Sequence, residues 1–149
     1  RDFPELVGLD VSARDVKVVL YDANSLDSFA GCFAAKALLG DRARYQGVDR
    51  GTCVDDLHVE VTGQVVAMVG VCWSLEAMHD LVAECDWLLI LETHRSVEQE
   101  LEQFNYPSAI PILDCAMGAG ALAWNFFLQG VPVPPLVRAI EDAELGRRA

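Results

Sequence analysis

The chain has 149 residues, enough for one domain with a sizeable core, of which 52% are hydrophobic. A formal net charge of −12 and a pI near 4.4 oppose contact with phosphate backbones, which makes the chain a poor candidate for a general nucleic-acid binder and leaves room only for a local basic patch. No stretch reaches the roughly 18 apolar residues of a membrane span. The longest candidate, Cys115 to Leu128, is broken by Gly118, Gly120 and Asn125.

The first apolar run is "VKVVLY" from Val16, followed by "DANSLDS". The run is β-branched and continuous, as expected of a strand covered on both faces. Leu26, Phe29, Ala30, Phe33 and Ala37 then recur at helical spacing and predict a helix with one apolar, core-facing stripe, ended by Gly40. "ARYQGV" from Ala43 is a second strand, and the acidic "DRGTCVDD" from Asp49 a loop. "VVAMVGV" from Val65 is a third strand. Ser74 caps the next helix, with Leu75, Met78, Leu81 and Val82 facing inward. "WLLIL" from Trp87 is a fourth strand, and Ser96 is placed to cap a helix opening with Glu98, Gln99 and Glu100. "IPIL" from Ile110 is the fifth. "GALAWNFFL" from Gly120 is a buried helix, "VPVPP" from Val131 a stiff connector, and "LVRAIEDAEL" from Leu136 a last helix. Trp73, Trp87 and Trp124 are expected in the core, and His58 and His79 at the surface. Two small basic clusters, Arg42 with Arg44 and Arg147 with Arg148, are expected to be solvated.

This alternation predicts an α/β fold: a parallel five-stranded sheet with helices on both faces, Rossmann-like, in one domain over 1–149. The five cysteines, Cys32, Cys53, Cys72, Cys85 and Cys115, form no C-x-x-C pair. They read as reduced, mostly buried thiols of an intracellular compartment, not as a zinc site.

Chemistry in open α/β sheets gathers at the carboxyl ends of the strands. Those ends carry Asp22, Asp27, Cys72, Glu92, Thr93, His94 and Asp114, which topology alone would bring together. A two-metal hydrolase needs several hard oxygen or imidazole ligands. Four carboxylates and one imidazole are on offer, beside a soft thiol and a neutral hydroxyl. "GAGALA" from Gly118 matches G-x-G-x-x-A, but too little chain follows for a second βαβ unit. Close helix packing accounts better for its glycines.

Several motifs in order resemble the N-terminal domain of the DHH phosphoesterases, manganese- or magnesium-dependent enzymes that hydrolyse phosphodiesters, oligonucleotides, cyclic dinucleotides or pyrophosphate. The family pattern "YHANCLDGFAAA" is similar to "YDANSLDSFAGC", "VDFS" to "VCWS" and "LDHHKTAEEEL" to "LETHRSVEQEL". Later, "SGALLAWEFF" is similar to "AGALAWNFF" and "YIEDRDLW" to "AIEDAELG". The resemblance implies that Asp22, Asp27, Cys72, Glu92, Thr93 and His94 stand at remnant metal-site positions, with Asp114 beside them. It also implies that Asp22, Cys72, Glu92 and Thr93 depart from the ligand set while Asp27 and His94 keep it. No C-terminal substrate-gripping domain follows in this sequence.

The expectation is therefore a pseudoenzyme: no functional catalytic residue, no metal and no cofactor, serving as a structural or accessory subunit of a larger protein complex. The Met-less start and acidic charge point to the mitochondrion, and to a respiratory or ATP synthase complex rather than a ribosome. The expected partners are protein subunits, with no nucleic acid and no membrane span. The alternatives are a divergent phosphodiesterase with manganese or magnesium held by Asp22, Asp27, Glu92, His94 and Asp114, and a module that binds a nucleotide in the old cleft without cleaving it.

Overall fold

A computed structural model of the chain describes residues 1–148. Five strands form one all-parallel sheet: β1 (Val18–Asp22), β2 (Arg44–Val48), β3 (Val65–Val69), β4 (Trp87–Glu92) and β5 (Ala109–Leu113). The five helices are α1 (Leu26–Leu39), α2 (Leu75–Glu84), α3 (Glu98–Gln103), α4 (Ala119–Phe127) and α5 (Pro135–Arg148). The strand order is β2-β1-β3-β4-β5. The chain runs outward from β1 to β2, then returns across β1 to β3. The switch point between β1 and β3 is where such a sheet opens a crevice at its carboxyl edge.

Successive strand residues point to opposite faces. Val19, Ala67, Val69, Leu89, Leu91 and Ile112 pack beneath α1 and α4, with Phe126, Phe127 and Phe3. Val18, Leu20, Val66, Met68, Leu88 and Ile90 pack beneath α2 and α3, with Trp73, Met78, Leu81 and Phe104. Helices thus cover both faces, and the central strands are apolar throughout.

The helix faces differ in part from expectation. Leu26, Phe29 and Phe33 are 65%, 54% and 59% exposed, so the large-residue stripe of α1 points to solvent. Ala37 is exposed as well, and of that stripe only Ala30 is buried. The inward face consists of Asp27, Ser28, Ala30, Gly31, Cys32, Ala34, Ala35 and Leu39. The reason is close approach to α4. A Cβ at Gly31 would overlap Val69 Cγ1 and lie 3.2 Å from Ala123 Cβ, and one at Gly120 would lie 2.9 Å from Ala30 Cβ. Small residues on both helices let the backbones meet, which displaces the aromatic rings outward. This packing accounts for the "GAGALA" glycines.

Ser74 caps α2 by accepting the Ala77 amide, and Gly40 ends α1 with φ +54°. Ser96 does not cap α3: it lies inside a 3-10 turn, Arg95–Val97, and Val97 takes the cap position. The prolines of "VPVPP" are not all connector, because α5 begins at Pro135, whose fixed φ suits a first helical turn. Trp87 is half-buried, while Trp73 and Trp124 are core residues. His58 and His79 are exposed. Among the described residues, no helix is long and apolar enough to cross a membrane.

Candidate functional site

The crevice at the carboxyl edge begins where β1 turns into α1. Asp22 ends β1, and its Oδ1 accepts the Asn24 amide at 2.8 Å, which folds the turn. Ser25 caps α1 by accepting the Ser28 amide at 3.1 Å. The Ser28 hydroxyl donates to the Val69 carbonyl at 2.5 Å and accepts the Asp22 amide at 2.7 Å, tying α1 to β1 and β3. β3 then stops at Gly70, whose φ is +69°; a Cβ there would lie 2.8 Å from Ala119 Cβ.

A cleft of about 140 Å3 lies at this switch point, lined by Asp22, Arg50, Cys72, Glu92 and His94 among others. Four of the expected site residues therefore meet there: Asp22, Cys72, Glu92 and His94. Asp27, Thr93 and Asp114 do not line it, which corrects the expectation that all seven converge.

Asp27 is 3% exposed and its carboxylate is turned onto the start of α4. Its Oδ2 accepts the Ala119 amide at 2.7 Å and its Oδ1 the Gly120 amide at 3.0 Å. Glu141 on α5 accepts the Gly118 amide at 3.0 Å. Gly118, the residue before α4, has no side chain with which to cap it. Two carboxylates from α1 and α5 satisfy the helix's first amides instead, and their charge complements its dipole. Burial raises the Asp27 pKa, opposed by these amide bonds. Glu141 is not among the site residues singled out from the sequence; the signal was an acidic residue one helical turn after Val137, on the buried side of α5.

Asp114 follows β5 and turns toward the amino-terminal segment. Its Oδ2 pairs with Arg1 Nε at 2.8 Å and its Oδ1 accepts the Ala116 amide at 3.1 Å. Cys72 is buried, and its thiol donates to the Trp73 carbonyl. Burial and the Glu92 charge push its pKa up to about 12.

Glu92 ends β4 and is 1% exposed. One oxygen, Oε1, accepts the Thr93 amide at 2.8 Å, the His94 amide at 3.1 Å and His94 Nδ1 at 2.6 Å. That last bond raises the His94 pKa from its ordinary 6.5, against desolvation. With Nδ1 donating to Glu92, the other ring nitrogen, Nε2, faces Arg148 Nη2 at 3.4 Å and Glu144 Oε1 at 3.6 Å.

Arg148 closes this side, contrary to the expectation of a solvated basic cluster. Its Nη1 donates to the Thr93 carbonyl at 3.0 Å and its Nη2 to the Thr93 hydroxyl at 3.1 Å. Glu144 Oε1 pairs with the same guanidinium at 3.3 Å, and Glu144 Oε2 with Arg147 at 2.7 Å. The last turn of α5 is thus fastened over the end of β4, with a fixed positive charge against His94.

The residues present do not fit a two-metal centre. Asp27 and Asp114 serve backbone amides and Arg1, Thr93 serves Arg148, and Cys72 is a soft thiol bonded to the Trp73 carbonyl, ill-suited to magnesium or manganese. Among the described residues, no group of three or more His, Cys, Asp or Glu side chains is arranged to hold a metal ion. What remains at the cleft is Asp22, Glu92 and His94, with the latter two bound to each other. Comparison of the chain with protein-family models, with curated proteins and with solved structures gives no match.

Proposed function

We propose that this chain is a degenerate DHH-like domain without catalysis of its own, acting as a structural or accessory subunit of a larger protein assembly. The observation that carries the reading is that the chain itself engages most of the expected ligand positions at this edge of the sheet, above all through the Arg148 guanidinium seated on Thr93 and His94. Metal-dependent phosphoester hydrolysis needs a bound cation and an open coordination position. At this edge of the sheet Asp27 and Glu141 are committed to capping α4, Asp114 to Arg1, and Arg148 stands against His94.

The solvent face of α1 supports a role in assembly. Leu26, Phe29 and Phe33 lie at i, i+3 and i+7, on one side of the helix and next to the cleft. Phe29 is held edge-on against Tyr21, at 6.1 Å between ring centres. A preformed apolar stripe of this kind marks a protein contact. The charge of −12 disfavours an RNA-rich host. A protein complex such as a mitochondrial respiratory or ATP synthase assembly is the proposed setting.

The test joins two measurements on one preparation. Manganese-dependent hydrolysis of a model phosphodiester is expected to be absent. Light scattering is expected to show self-association of the isolated chain, lost in a Phe29→Ser/Phe33→Ser variant. Turnover abolished by Glu92→Gln would overturn the non-catalytic reading. A strictly monomeric wild-type chain would overturn the assembly role.

A further inference from the structure

The opposite edge of the sheet holds a feature that the cleft does not explain. An open cavity of about 540 Å3 lies at the amino ends of β1 and β2, lined by Lys17, Arg42, Arg44, His58, Gln64 and Glu60, with two valines. The chain has 11 Lys and Arg against 23 Asp and Glu. This cavity gathers three of those cations and one histidine beside a single acid.

We propose that it is a binding site for a small polyphosphate-type anion. The cations are positioned by the fold. The Arg44 amide donates to the Lys17 carbonyl at 2.8 Å, and Arg44 stands opposite Val18 in the β1–β2 register, so the two side chains leave adjacent strand starts. Arg42 is held by the carbonyls of Leu38 and Leu39, at 2.7 and 3.3 Å, at the carboxyl end of α1. Its Nη1 is left without a protein partner among the described residues. Nor do Lys17, Arg42, Arg44 or His58 take part in any ion pair there. The one acid, Glu60, accepts the Thr62 amide through Oε1 at 3.0 Å and forms no ion pair with them, so one negative charge stands against three cations. Unlike Arg148, which pairs with Glu144, none of these groups is paired with a carboxylate.

The ligand class follows from the lining. Guanidinium and ammonium groups with an amide and an imidazole N–H are phosphate donors. Apart from His58 there is no aromatic side chain, hence no platform for a nucleobase. The volume falls within the range of small-molecule sites. A long polyanion would run beyond the basic cavity onto a surface of net charge −12 and be repelled over a Debye length of about 8 Å. A compact anion stays within the basic field.

The experiment is calorimetric titration of the full chain with tripolyphosphate, ATP and a short poly-glutamate peptide, at low and at physiological ionic strength. One tripolyphosphate is expected per chain, weaker in salt, with ATP binding no tighter. The Lys17→Ala/Arg44→Ala variant is expected to lose at least about tenfold in affinity, because charged hydrogen bonds are removed. Arg95→Ala, away from the cavity, is expected to bind as wild type. Both variants change exposed side chains, and an unchanged Tm confirms their fold. No binding, or binding indifferent to Lys17 and Arg44, would overturn the site. Tighter binding of the peptide than of tripolyphosphate would overturn the ligand class. Neither result bears on the cleft at the other edge.

Discussion

The two edges of the sheet use charge in opposite ways. At the carboxyl edge, Asp27, Glu141, Glu92, His94, Glu144 and Arg148 bond to backbone amides and to one another. At the amino edge, Lys17, Arg44 and His58 have no ion-pair partner among the described residues and face an open cavity. The difference teaches that residue type alone does not make a site. A carboxylate satisfied by two amides stabilises the fold and is unavailable to a ligand. A cation held in place but unpaired is available.

The sharpest way to test the contrast is to remove a group from each edge. Asp27→Ala leaves two amides of α4 buried without acceptors and removes charge from the helix N-terminus. It is expected to cost roughly 2–4 kcal/mol in chemical denaturation. Asp27→Asn, which keeps an acceptor, is expected to cost less. Arg148→Ala releases the last turn of α5 from Thr93. About 1 kcal/mol of loss is expected, with faster amide exchange in the α5 terminus.

His94 gives a smaller effect with a definite sign. Its folded pKa is raised above 6.5, with Glu92 as the chief cause and Glu144 assisting, while desolvation and Arg148 oppose. The folded state therefore holds this proton more tightly than the unfolded state. The contribution to stability is full below about pH 6.5 and is lost as pH rises through the folded value. His94→Gln is expected to flatten the fall of Tm with pH in that window. A slope unchanged from wild type would show that Glu92 does not act on His94 as described.

The smallest stability effects belong to the unengaged groups. Lys17→Ala/Arg44→Ala and Phe29→Ser/Phe33→Ser are each expected to stay within about 0.5 kcal/mol of wild type, since their side chains are largely exposed. A larger loss would mean that these residues support the fold, and the contrast between the edges would fail.

The strands were legible because each is a short, nearly continuous apolar run, and their alternation with helical patterns required a parallel sheet. The orientation of α1 was not. Periodicity follows large residues, and here Leu26, Phe29 and Phe33 mark the outside. The inner face was written in small residues, Ala30, Gly31, Ala34 and Ala35, complementary to Gly120 and Ala123 of α4. At the site, topology correctly brought Asp22, Cys72, Glu92 and His94 to one edge. It could not reveal what the other acids bond to. Asp27 meets Ala119, 92 positions away, and Thr93 meets Arg148, 55 positions away. Such pairings depend on how α4 and α5 dock, which no local pattern records.

The central claim is that the chain's own groups engage most of the expected ligand positions at the carboxyl edge. Titration of manganese, followed by the loss of the free-ion paramagnetic resonance signal, tests it most directly. The account predicts no stoichiometric uptake by the wild-type chain, and none by Arg148→Ala, because Asp27 and Asp114 remain engaged elsewhere. Two manganese ions bound per chain, and lost in Asp22→Asn or Glu92→Gln, would contradict it.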